Sequence, residues 1–521
     1  SPEAGARPDR AEMRSTRPSG RLVVPGRESA PGTKWPFLFG SDSRFTLNSA
    51  ISSGKINIPP MCIFTMLARK LILFFSIVSI SGCKSWGKFW LTEINYSPAT
   101  LALTQNVTMT PVTPNLPGSP RSCTATPPLP AGLALDATTC TLTGTPTQGQ
   151  PALDYRISAD IGSDTASGNI SIRVLFQPRF LYVANTGSAN ISLFTINAGG
   201  SLSGGTTFGT GTNPRFVLVD PFGRFLYAPN HGAATISVFS INATSGALAQ
   251  ISGSPFATSA NPYSVAMDPL GRFLYVGHEN AGVAAVSAYT VDRTSGSLTQ
   301  ISGSPFAVAA GSTPVSVYVE PQGKFLYVGS SQSGLNAHGF SINQTTGALS
   351  QLSGSPFGTI QDAISVFGHP SGKYVYYAQY FAPTGAVGYQ RDLTSGALAL
   401  ISGSPFSAGL APGFITGDVT GRFVYVANSG DTTGLAGVSG FTVDSATGVL
   451  SAMPGSPYSS GGNQPIGFAI DETVSYAYAA NTPSGTVGAF TVNSSSGVLT
   501  PNGTYATGAS PFAVTIAGSN P

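Results

Sequence analysis

The 521-residue chain is poor in charged residues, in cysteine and in histidine. Asp, Glu, Lys and Arg make up 9% of it, and it holds 4 Cys and 4 His. Of the 345 residues from position 177 onward, only 21 are Asp, Glu, Lys or Arg, so few side chains there suit acid–base chemistry. No segment shows the 3.6-residue apolar period of an amphipathic helix. These absences favour an all-β chain with little room for catalytic groups.

The net charge of +3 comes from the N-terminal part of the chain. Residues 1–65 hold 9 Lys or Arg against 5 Asp or Glu, and Arg69 and Lys70 follow them. From Cys83 onward there are 14 basic and 17 acidic residues. Binding to nucleic acid relies on clustered positive charge, which this larger part lacks. A nucleic-acid partner is therefore not expected.

Residues 66–82 have the anatomy of a secretory signal. A basic start at Arg69 and Lys70 precedes an apolar core, 71–80, that is too short to span a membrane. The following Ser-Gly-Cys resembles the bacterial lipobox, which implies lipidation of Cys83; the alternative is an ordinary signal peptide followed by a chance cysteine. Residues 1–65 are expected to be a disordered leader, or upstream sequence joined by a misplaced start. With a tether over 83–91, the protein is expected to be extracytoplasmic and lipid-anchored to the membrane, in the periplasm or on the cell surface.

Seven copies of one motif occupy the chain from residue 179 to the end. The motif is usually a basic residue followed by an aromatic, an aliphatic and a tyrosine, and its first copy reads Arg-Phe-Leu-Tyr. The copies lie at 179–182, 224–227, 272–275, 324–327, 373–376, 422–425 and 475–478. Successive starts are 45, 48, 52, 49, 49 and 53 residues apart. A period of about 50 with short alternating apolar runs is typical of a β-propeller with four-stranded blades.

The two ends of the repeat region predict how the ring closes. The first copy, at Arg179, has no inner strand of its own, because residues 170–174 complete the preceding domain. Residues 511–517 match the inner-strand pattern and have no outer strands after them. We therefore predict that this C-terminal strand pairs beside residues 180–184, which covers two exposed sheet edges. The region 177–521 is predicted to be a seven-bladed β-propeller.

Residues 92–176 form a second predicted domain. Leu-Pro-Ala-Gly-Leu at 129–133, Gly-Thr-Pro at 144–146 and Tyr-Arg-Ile at 155–157 resemble the Ig-like, cadherin-like modules of bacterial surface proteins. The resemblance implies a small β-sandwich that acts as a spacer. In an exported module of this kind, Cys123 and Cys140 are expected to form a disulfide rather than a metal site, with a stabilisation of about 3 kcal/mol.

The repeats carry a family resemblance of their own. Asp-Pro-x-Gly-Arg-Phe-Leu-Tyr-Val and Thr-Ser-Gly-Ala-Leu recur across residues 177–521. They resemble the lactonase-type seven-bladed family that includes 6-phosphogluconolactonases, and the related bacterial surface repeats named after Tyr-Val-Thr-Asn. The resemblance implies the propeller fold. It does not by itself carry an activity, because one fold hosts many functions.

The channel mouth is the first place to look for a site. If each inner strand starts on the ligand-binding face, the residue after its leading proline lies at the mouth, where lactonase relatives tend to have a Pro-His pair. This chain has Arg215, Tyr263, Val315, Gly413, Ile466 and Phe512 there, with Asp362-Ala363 in the blade that lacks the proline. Arg215 is the only positive charge among them, whereas a phosphorylated sugar lactone calls for several cationic contacts.

Lactone hydrolysis also requires a general base or a metal-activated water, together with an oxyanion donor. The candidates are His278 and Glu279 in the loop after Tyr275, with Arg215 at the mouth. Four more candidates lie on neighbouring loops: His231, His338, Asp362 and Asp431. No two of them form a recognisable motif, so the enzyme hypothesis depends on His278, Glu279 and Arg215 meeting around one cleft. No metal site and no cofactor are predicted.

Overall, the sequence favours a binding or adhesion module for a carbohydrate or protein ligand, with lactone hydrolysis as the alternative. The loops that follow the second strand of each blade are rich in Ser, Gly and Asn and vary in length on a constant frame. Rigid scaffolds place recognition on such loops. We call this side of the propeller the loop face, and the side with the Asp-Pro-x-Gly turns the turn face. The predicted ligand contacts on the loop face are Arg215, Tyr263, His278, Glu279 and Asp431.

Two other repeated sets of polar residues are interpreted as structural. One acid per blade precedes the motif, and turn capping explains these acids better than a ring of calcium ligands does. The acids are Asp220, Asp268, Glu320, Asp418 and Asp471, with His369 in the matching position. A second set ends each second strand and either caps loops or contacts a polar ligand. Its members are Asn185, Asn230, His278, Ser330, Gln379, Asn428 and Asn481.

Overall fold

A computed structural model describes most of the chain after residue 92. The described ranges are 93–162, 164–279, 285–309, 311–331, 333–334, 337–358, 360–381, 385–430 and 437–518. The expected leader, signal, tether and lipidated Cys83 lie outside these ranges, as does Asp431. Within them the regular elements are all β-strands, and no helix is long and apolar enough to cross a membrane. The all-β prediction is confirmed.

The N-terminal domain is a four-stranded sheet with a two-stranded hairpin. Its strands are Thr100–Thr104, Ser122–Thr126, Leu133–Leu135, Leu142–Gly144, Gln150–Asp160 and Thr165–Leu175. The first and last strands pair in parallel, and the two longest pair antiparallel. Alternate residues of the long strands, such as Ile157 and Ile170, are fully buried, as expected when one face of a strand covers a core. Cys123 and Cys140 are joined by a disulfide, with their Cα atoms 5.4 Å apart.

The rest of the chain forms seven blades, and each is a sheet of four antiparallel strands. From the hub outward, the innermost strands are Pro511–Gly518, Leu218–Val219, Pro262–Met267, Pro314–Val319, Ala363–Gly368, Pro412–Gly417 and Pro465–Ile470. The second strands are Pro178–Asn185, Phe225–Asn230, Phe273–His278, Phe325–Ser330, Tyr374–Gln379, Phe423–Asn428 and Tyr476–Asn481. Blades are numbered 1 to 7 in the order of these two series.

The fourth strand of each blade is the most exposed one, and in blades 2 to 6 it is only three residues long. The third strands are Asn190–Ile196, Thr235–Ile241, Ala285–Val291, Ala337–Ile342, Gly385–Arg391, Gly437–Val443 and Thr486–Val492. The fourth strands are Leu202–Gly209, Leu248–Gln250, Leu298–Gln300, Leu349–Gln351, Leu398–Leu400, Leu450–Ala452 and Leu499–Ala506. Short extra strands are Phe256–Ala257, Phe306–Ala307, Ser333–Gly334, Ile360–Gln361 and Phe406–Ser407. The main core therefore lies between the faces of neighbouring blades, where the second and third strands are buried.

Blade 1 is built from both ends of the propeller. Pro511–Gly518 pairs antiparallel with Pro178–Asn185, and Val514 lies opposite Val183. The predicted closure is therefore confirmed. Pairing the last strand with the first one removes two open sheet edges, which would otherwise expose unpaired N–H and C=O groups.

The tyrosine that ends each motif fastens its blade to the next one. Its hydroxyl donates a hydrogen bond to the carbonyl oxygen of the glycine in the outer turn of the following blade. The seven pairs are Tyr182–Gly246, Tyr227–Gly296, Tyr275–Gly347, Tyr327–Gly396, Tyr376–Gly448, Tyr425–Gly497 and Tyr478–Gly200, at 2.7 to 3.2 Å. Every tyrosine in the set is fully buried. The repeated motif thus encodes the contacts between blades as well as the strands.

We expect Tyr376→Phe to lower the free energy of unfolding by about 1–3 kcal/mol, because the Gly448 carbonyl oxygen loses its buried partner. Denaturation of the variant against the wild type measures the difference. Tyr505→Phe is the control, since the Tyr505 hydroxyl makes only a long 3.4 Å bond at a partly exposed site. Equal stabilities of Tyr376→Phe and wild type would contradict the role assigned to this hydrogen bond.

The acids ahead of the motif cap the turns, as the sequence indicates. The carboxylate of Asp471 accepts hydrogen bonds from the backbone N–H groups of Ser475 and Tyr476, at 2.7 and 2.8 Å. Asp220, Asp268, Asp418 and Glu320 accept bonds from the equivalent backbone groups of their own blades. These oxygens are therefore occupied by the chain itself. Within the described ranges, no three His, Cys, Asp or Glu side chains meet as a metal site.

One acid on the turn face contacts the Ig-like domain. Glu472 stands where blades 2 to 5 have the proline of the turn that precedes the motif. Its carboxylate lies 2.5 Å from Arg173 Nη2 and accepts a 2.9 Å hydrogen bond from the Phe176 N–H. The Phe176 side chain also packs against the propeller, because a Cβ on Gly518 would lie 2.2 Å from Phe176 Cβ. The junction between the domains is therefore held by an ion pair and a half-buried aromatic residue.

We expect Glu472→Ala to lower the free energy that holds the two domains together by about 1 kcal/mol, the range of a partly exposed ion pair. Small-angle scattering should then show a larger maximum dimension, because the Ig-like domain samples more orientations. Arg173→Ala should give a smaller change, because it leaves the hydrogen bond from the Phe176 N–H to Glu472 in place. The double variant should give little more than Glu472→Ala, since both substitutions remove the same ion pair. Unchanged scattering in all three variants would show that the ion pair does not hold the junction.

Candidate functional site

Seven residues, one from the start of each inner strand, line a recess at the loop-face end of the central channel. They are Phe512, Arg215, Tyr263, Val315, Ile364, Gly413 and Ile466, from blades 1 to 7 in order. Six of them are the predicted mouth residues. In blade 5 the prediction is one residue off: Ala363 pairs with Gln379 as Pro262 pairs with His278, so Ala363 takes the proline position and Ile364 faces the mouth.

The recess is shallow because two aromatic rings close the channel beneath it. Phe216 and Phe414 approach from blades 2 and 6, with ring centroids 6.2 Å apart. Both rings line the recess of about 20 Å³ on the loop-face side and the cavity of about 330 Å³ on the turn-face side. A volume of 20 Å³ holds about one water molecule or one ligand oxygen. A ligand at the mouth would therefore lie across the ring of seven residues rather than pass through it.

Arg215 is held between two aromatic rings at the mouth. Its guanidinium carbon lies 4.8 Å from the centroid of Phe512 and 5.4 Å from that of Tyr263. The two rings meet edge to face at 5.8 Å. Burial raises the pKa of Tyr263 to about 12, so its phenol is neutral. Stacking on aromatic faces fixes the orientation of an arginine while leaving its N–H donors available.

A histidine and a glutamate pair beside this arginine. His231 Nε2 lies 2.9 Å from Glu279 Oε2, and the imidazole packs edge to face on Tyr263 at 6.3 Å. The hydrogen bond from His231, together with the positive charge of Arg215, holds the pKa of Glu279 below its ordinary value despite partial burial. The carboxylate therefore stays ionised and accepts a hydrogen bond from Nε2–H of His231, which leaves Nδ1 as the ring nitrogen with a free lone pair.

Two buried polar atoms at the recess have no hydrogen-bond partner in the described structure: Arg215 Nε and Ser264 Oγ. Ser264 is 3% exposed. The equivalent serines of the next two blades are satisfied, since Ser316 and Ser365 each accept a bond from a neighbouring inner strand. Burying an unpaired donor costs free energy, so an oxygen atom placed in the recess would be stabilised by both groups.

His278 does not belong to this cluster, which corrects the sequence-based candidate. It is 1% exposed, and its Nε2 and Nδ1 bond to Ser287 Oγ at 2.8 Å and to the Ala260 carbonyl oxygen at 3.1 Å. Asn230 occupies the same position in blade 2 and likewise bonds to a serine of the third strand. His278 thus ties the second strand to the third, and burial lowers its pKa to about 4.

This buried histidine predicts a loss of stability in acid. Between its ordinary pKa of 6.5 and about 4, the unfolded chain takes up a proton that folded His278 does not. The free energy of unfolding should therefore fall by about 1–3 kcal/mol as the pH drops through this range. His278→Asn, which copies Asn230, should remove that part of the pH dependence in denaturation curves at pH 7 and pH 4. An identical pH dependence in the variant would argue against this assignment.

The remaining sequence candidates lie apart from the cluster or outside the described ranges. His338 is fully buried beside Ser312 at 3.0 Å, and burial lowers its pKa to about 4. Asp362 precedes the inner strand of blade 5 with φ +52°, and partial burial raises its pKa. Asp431 is not described. Of the predicted ligand contacts, the structure therefore brings Arg215, Tyr263 and Glu279 together and adds His231, which the sequence left among several loop candidates.

The repeat itself contains the signal that links His231 to Glu279. Each follows the residue that ends a second strand, so the two hold the same position in blades 2 and 3. The side chains at this position in blades 1 and 7 also reach the next blade, since Thr186 and Thr482 donate to the carbonyl oxygens of Pro214 and Pro511. Aligning the repeats by their motif places both residues four positions after its tyrosine, and this shared position could have predicted the pair.

Comparison with known families matches both domains. The model described as "Lactonase, 7-bladed beta-propeller" matches residues 157–260, 217–312, 250–335 and 398–516, which together are more than half of the chain. The model described as "Putative Ig domain" matches residues 92–175. No curated protein matches the chain.

Solved structures share the propeller fold at low sequence identity. A Lactobacillus plantarum protein is 18% identical with a TM-score of 0.54, covering 65% of this chain and 99% of its own. The periplasmic gluconolactonase of Pseudomonas aeruginosa is also 18% identical with a TM-score of 0.54, covering 66% and 100%. A "putative 6-phosphogluconolactonase" of Bacteroides fragilis gives 18% and 0.53, covering 65% and 98%. These likenesses support the fold, and with the family match they show that the chain belongs to the seven-bladed β-propeller lactonase family.

Proposed function

We propose that the protein hydrolyses a lactone at the loop-face mouth of its propeller. The observation that carries the proposal is the 2.9 Å pair of His231 and Glu279 beside the stacked Arg215. A base with an ionised partner and a fixed cation are the two groups that ester hydrolysis needs. Membership of the lactonase family supports the same reaction.

His231 is the proposed general base. Its Nδ1 takes a proton from a water molecule while the water oxygen bonds to the lactone carbonyl carbon. Glu279 stabilises the imidazolium that forms, because its carboxylate is ionised and already bonded to Nε2. The carbonyl π electrons move to oxygen, which gives a tetrahedral oxyanion. When the C–O bond of the ring breaks, the departing alkoxide takes the proton back from Nδ1, and the product is a hydroxy acid.

Arg215 is the proposed oxyanion donor. Its Nε is buried and unpaired by the described residues, and its guanidinium is held by Phe512 and Tyr263 before any ligand arrives. A donor that is already oriented stabilises developing charge without reorganisation. The recess holds about one oxygen atom, which matches the size of the group to be stabilised.

The alternative, a binding or adhesion module for carbohydrate or protein, has less support. The mouth brings together a base, its ionised partner and an arginine whose Nε has no partner among the described residues, which pure recognition does not require. A pH-stat assay on a panel of γ- and δ-lactones, run beside a glycan array with the same preparation, separates the two. Acid release above the spontaneous rate supports the hydrolase, whereas glycan binding without acid release would favour the binding module.

We also propose that the protein is exported and anchored to the membrane by lipid at Cys83. The sequence around residues 66–83 supports this, and so does the disulfide of the Ig-like domain, because disulfides persist in oxidising compartments. Palmitate labelling of the expressed full chain tests the proposal. Label on the wild type and none on Cys83→Ser is expected; label on neither would refute the anchor.

A further inference from the structure

The seven residues at the mouth form two arcs, one polar and aromatic and the other apolar. Three neighbours from blades 1 to 3, Phe512, Arg215 and Tyr263, carry the cation and the aromatic rings. The four from blades 4 to 7 are aliphatic or glycine: Val315, Ile364, Gly413 and Ile466. Ile364 and Ile466 are half-buried and so keep apolar surface free for contact. A ligand that crosses the mouth therefore meets one polar side and one apolar side.

Gly413 leaves a notch in the apolar arc. A Cβ placed on this residue would meet Ile466 Cα at 3.6 Å, an ordinary contact, and the glycine does not have a positive φ. The backbone does not require glycine there, so its absent side chain is free space between Ile364 and Ile466. An aliphatic group of a ligand can occupy that space.

The loop face has little positive charge to offer a phosphate. The sequence segments between strands on this face contain no Lys or Arg. These segments are 186–189, 210–213, 231–234, 258–261, 279–284, 308–313, 331–336, 358–362, 380–384, 408–411, 429–436, 459–464, 482–485 and 507–510. They do contain Glu279, Asp362 and Asp431. A phosphate dianion at the mouth would meet one cation, Arg215, which already lies near the ionised Glu279, and this disfavours binding.

We infer that the substrate is an uncharged lactone that bears an apolar substituent and no phosphate. This rests on the proposed hydrolase function. The lactone carbonyl lies on the side of Arg215 and His231, and the apolar substituent lies across Ile364, Gly413 and Ile466. Each methylene that reaches the apolar arc should raise kcat/KM about two- to fourfold.

The test compares kcat/KM for δ-valerolactone, δ-hexalactone, δ-octalactone and δ-decalactone with that for glucono-δ-lactone and 6-phosphoglucono-δ-lactone. A rise along the alkyl series with the phosphorylated lactone lowest is expected. A flat series, or the phosphorylated lactone highest, would overturn the inference. Gly413→Leu fills the notch and should abolish the gain in kcat/KM with chain length.

A matched pair of variants locates the apolar contact. Ile466→Ser and Ile470→Ser remove the same side chain from one strand, but Ile466 faces the mouth and Ile470 lines the turn-face cavity. Only Ile466→Ser should flatten the chain-length series, and it should lower kcat/KM for δ-decalactone by about tenfold. Equal effects of the two substitutions would mean that the loss reflects folding rather than substrate contact, and would count against the inference.

A binding measurement separates this inference from the proposed function. Calorimetric titration with 5-hydroxypentanoate and 5-hydroxydecanoate, the corresponding hydroxy acids, reports ligand preference without turnover. Tighter binding of the longer acid, lost in Ile466→Ser, supports the ligand class even if no lactone is hydrolysed. Hydrolysis without any preference for the longer acid or lactone keeps the hydrolase and refutes the apolar substituent.

Discussion

A His231→Asn variant is expected to lose about 10²–10⁴-fold in kcat/KM for lactone hydrolysis, the range for removal of a general base. Asparagine keeps a polar side chain but is shorter than histidine and has no basic nitrogen, so the proton of the attacking water has no acceptor. Glu279 is half exposed and stays hydrated in the variant, so the fold should be little affected.

His278→Asn is the matched control for this prediction. It makes the same chemical change at a histidine 47 positions along the chain, which is buried within blade 3 and bonded to Ser287. Because Asn230 already fills the equivalent position in blade 2, the variant should fold and keep wild-type kcat/KM. Initial rates by pH-stat measure both variants. If His278→Asn were inactive and His231→Asn active, the general base would not be His231 and the proposed site would be wrong.

An Arg215→Met variant is expected to lose about 10²–10³-fold in kcat, as for removal of one oxyanion donor. Methionine keeps an unbranched apolar stem to pack on Phe512 and Tyr263, so the substitution removes the charge and the donors more than the packing. The effect should appear mainly in kcat, since the oxyanion exists only in the transition state.

Arg422→Met controls for the loss of a stacked arginine. Arg422 lies 4.8 Å over the ring of Phe423, as Arg215 lies over Phe512, but it belongs to a turn on the opposite face. Arg422→Met should leave kcat unchanged, while lowering the free energy of unfolding about as much as Arg215→Met does. A KM increase with unchanged kcat in Arg215→Met would instead mean that Arg215 only binds the ground state.

The fold was largely predictable because every copy of the motif makes the same contacts. Each Tyr of the motif meets a glycine of the next blade, so a period of about 50 residues fixes strands and blade contacts together. The unpaired inner strand at 511–517 likewise predicted the closure of blade 1. Blade 5 was misaligned by one residue because it lacks the proline that marks the other inner strands, and only the pairing of Ala363 with Gln379 settles its register.

The site was harder to predict because its residues come from different blades. Arg215 and Tyr263 were named from their positions at the mouth and Glu279 from the loop after Tyr275, but the partner of Glu279 is His231, 48 residues earlier. His278 was assigned to the same loop as Glu279, whereas the structure makes it the last residue of the second strand of blade 3. In a β-strand, however, adjacent side chains point to opposite sides, so His278 turns into the blade while Glu279 reaches the mouth.

The rate of lactone ring opening by the purified protein, measured above the spontaneous rate with His231→Asn in parallel, tests the central claim most directly. The account predicts a rate that is proportional to wild-type protein and falls at least 100-fold in the variant, in line with the general-base role. A wild-type rate no higher than the spontaneous one across γ- and δ-lactones, or an equal rate in the variant, would contradict it.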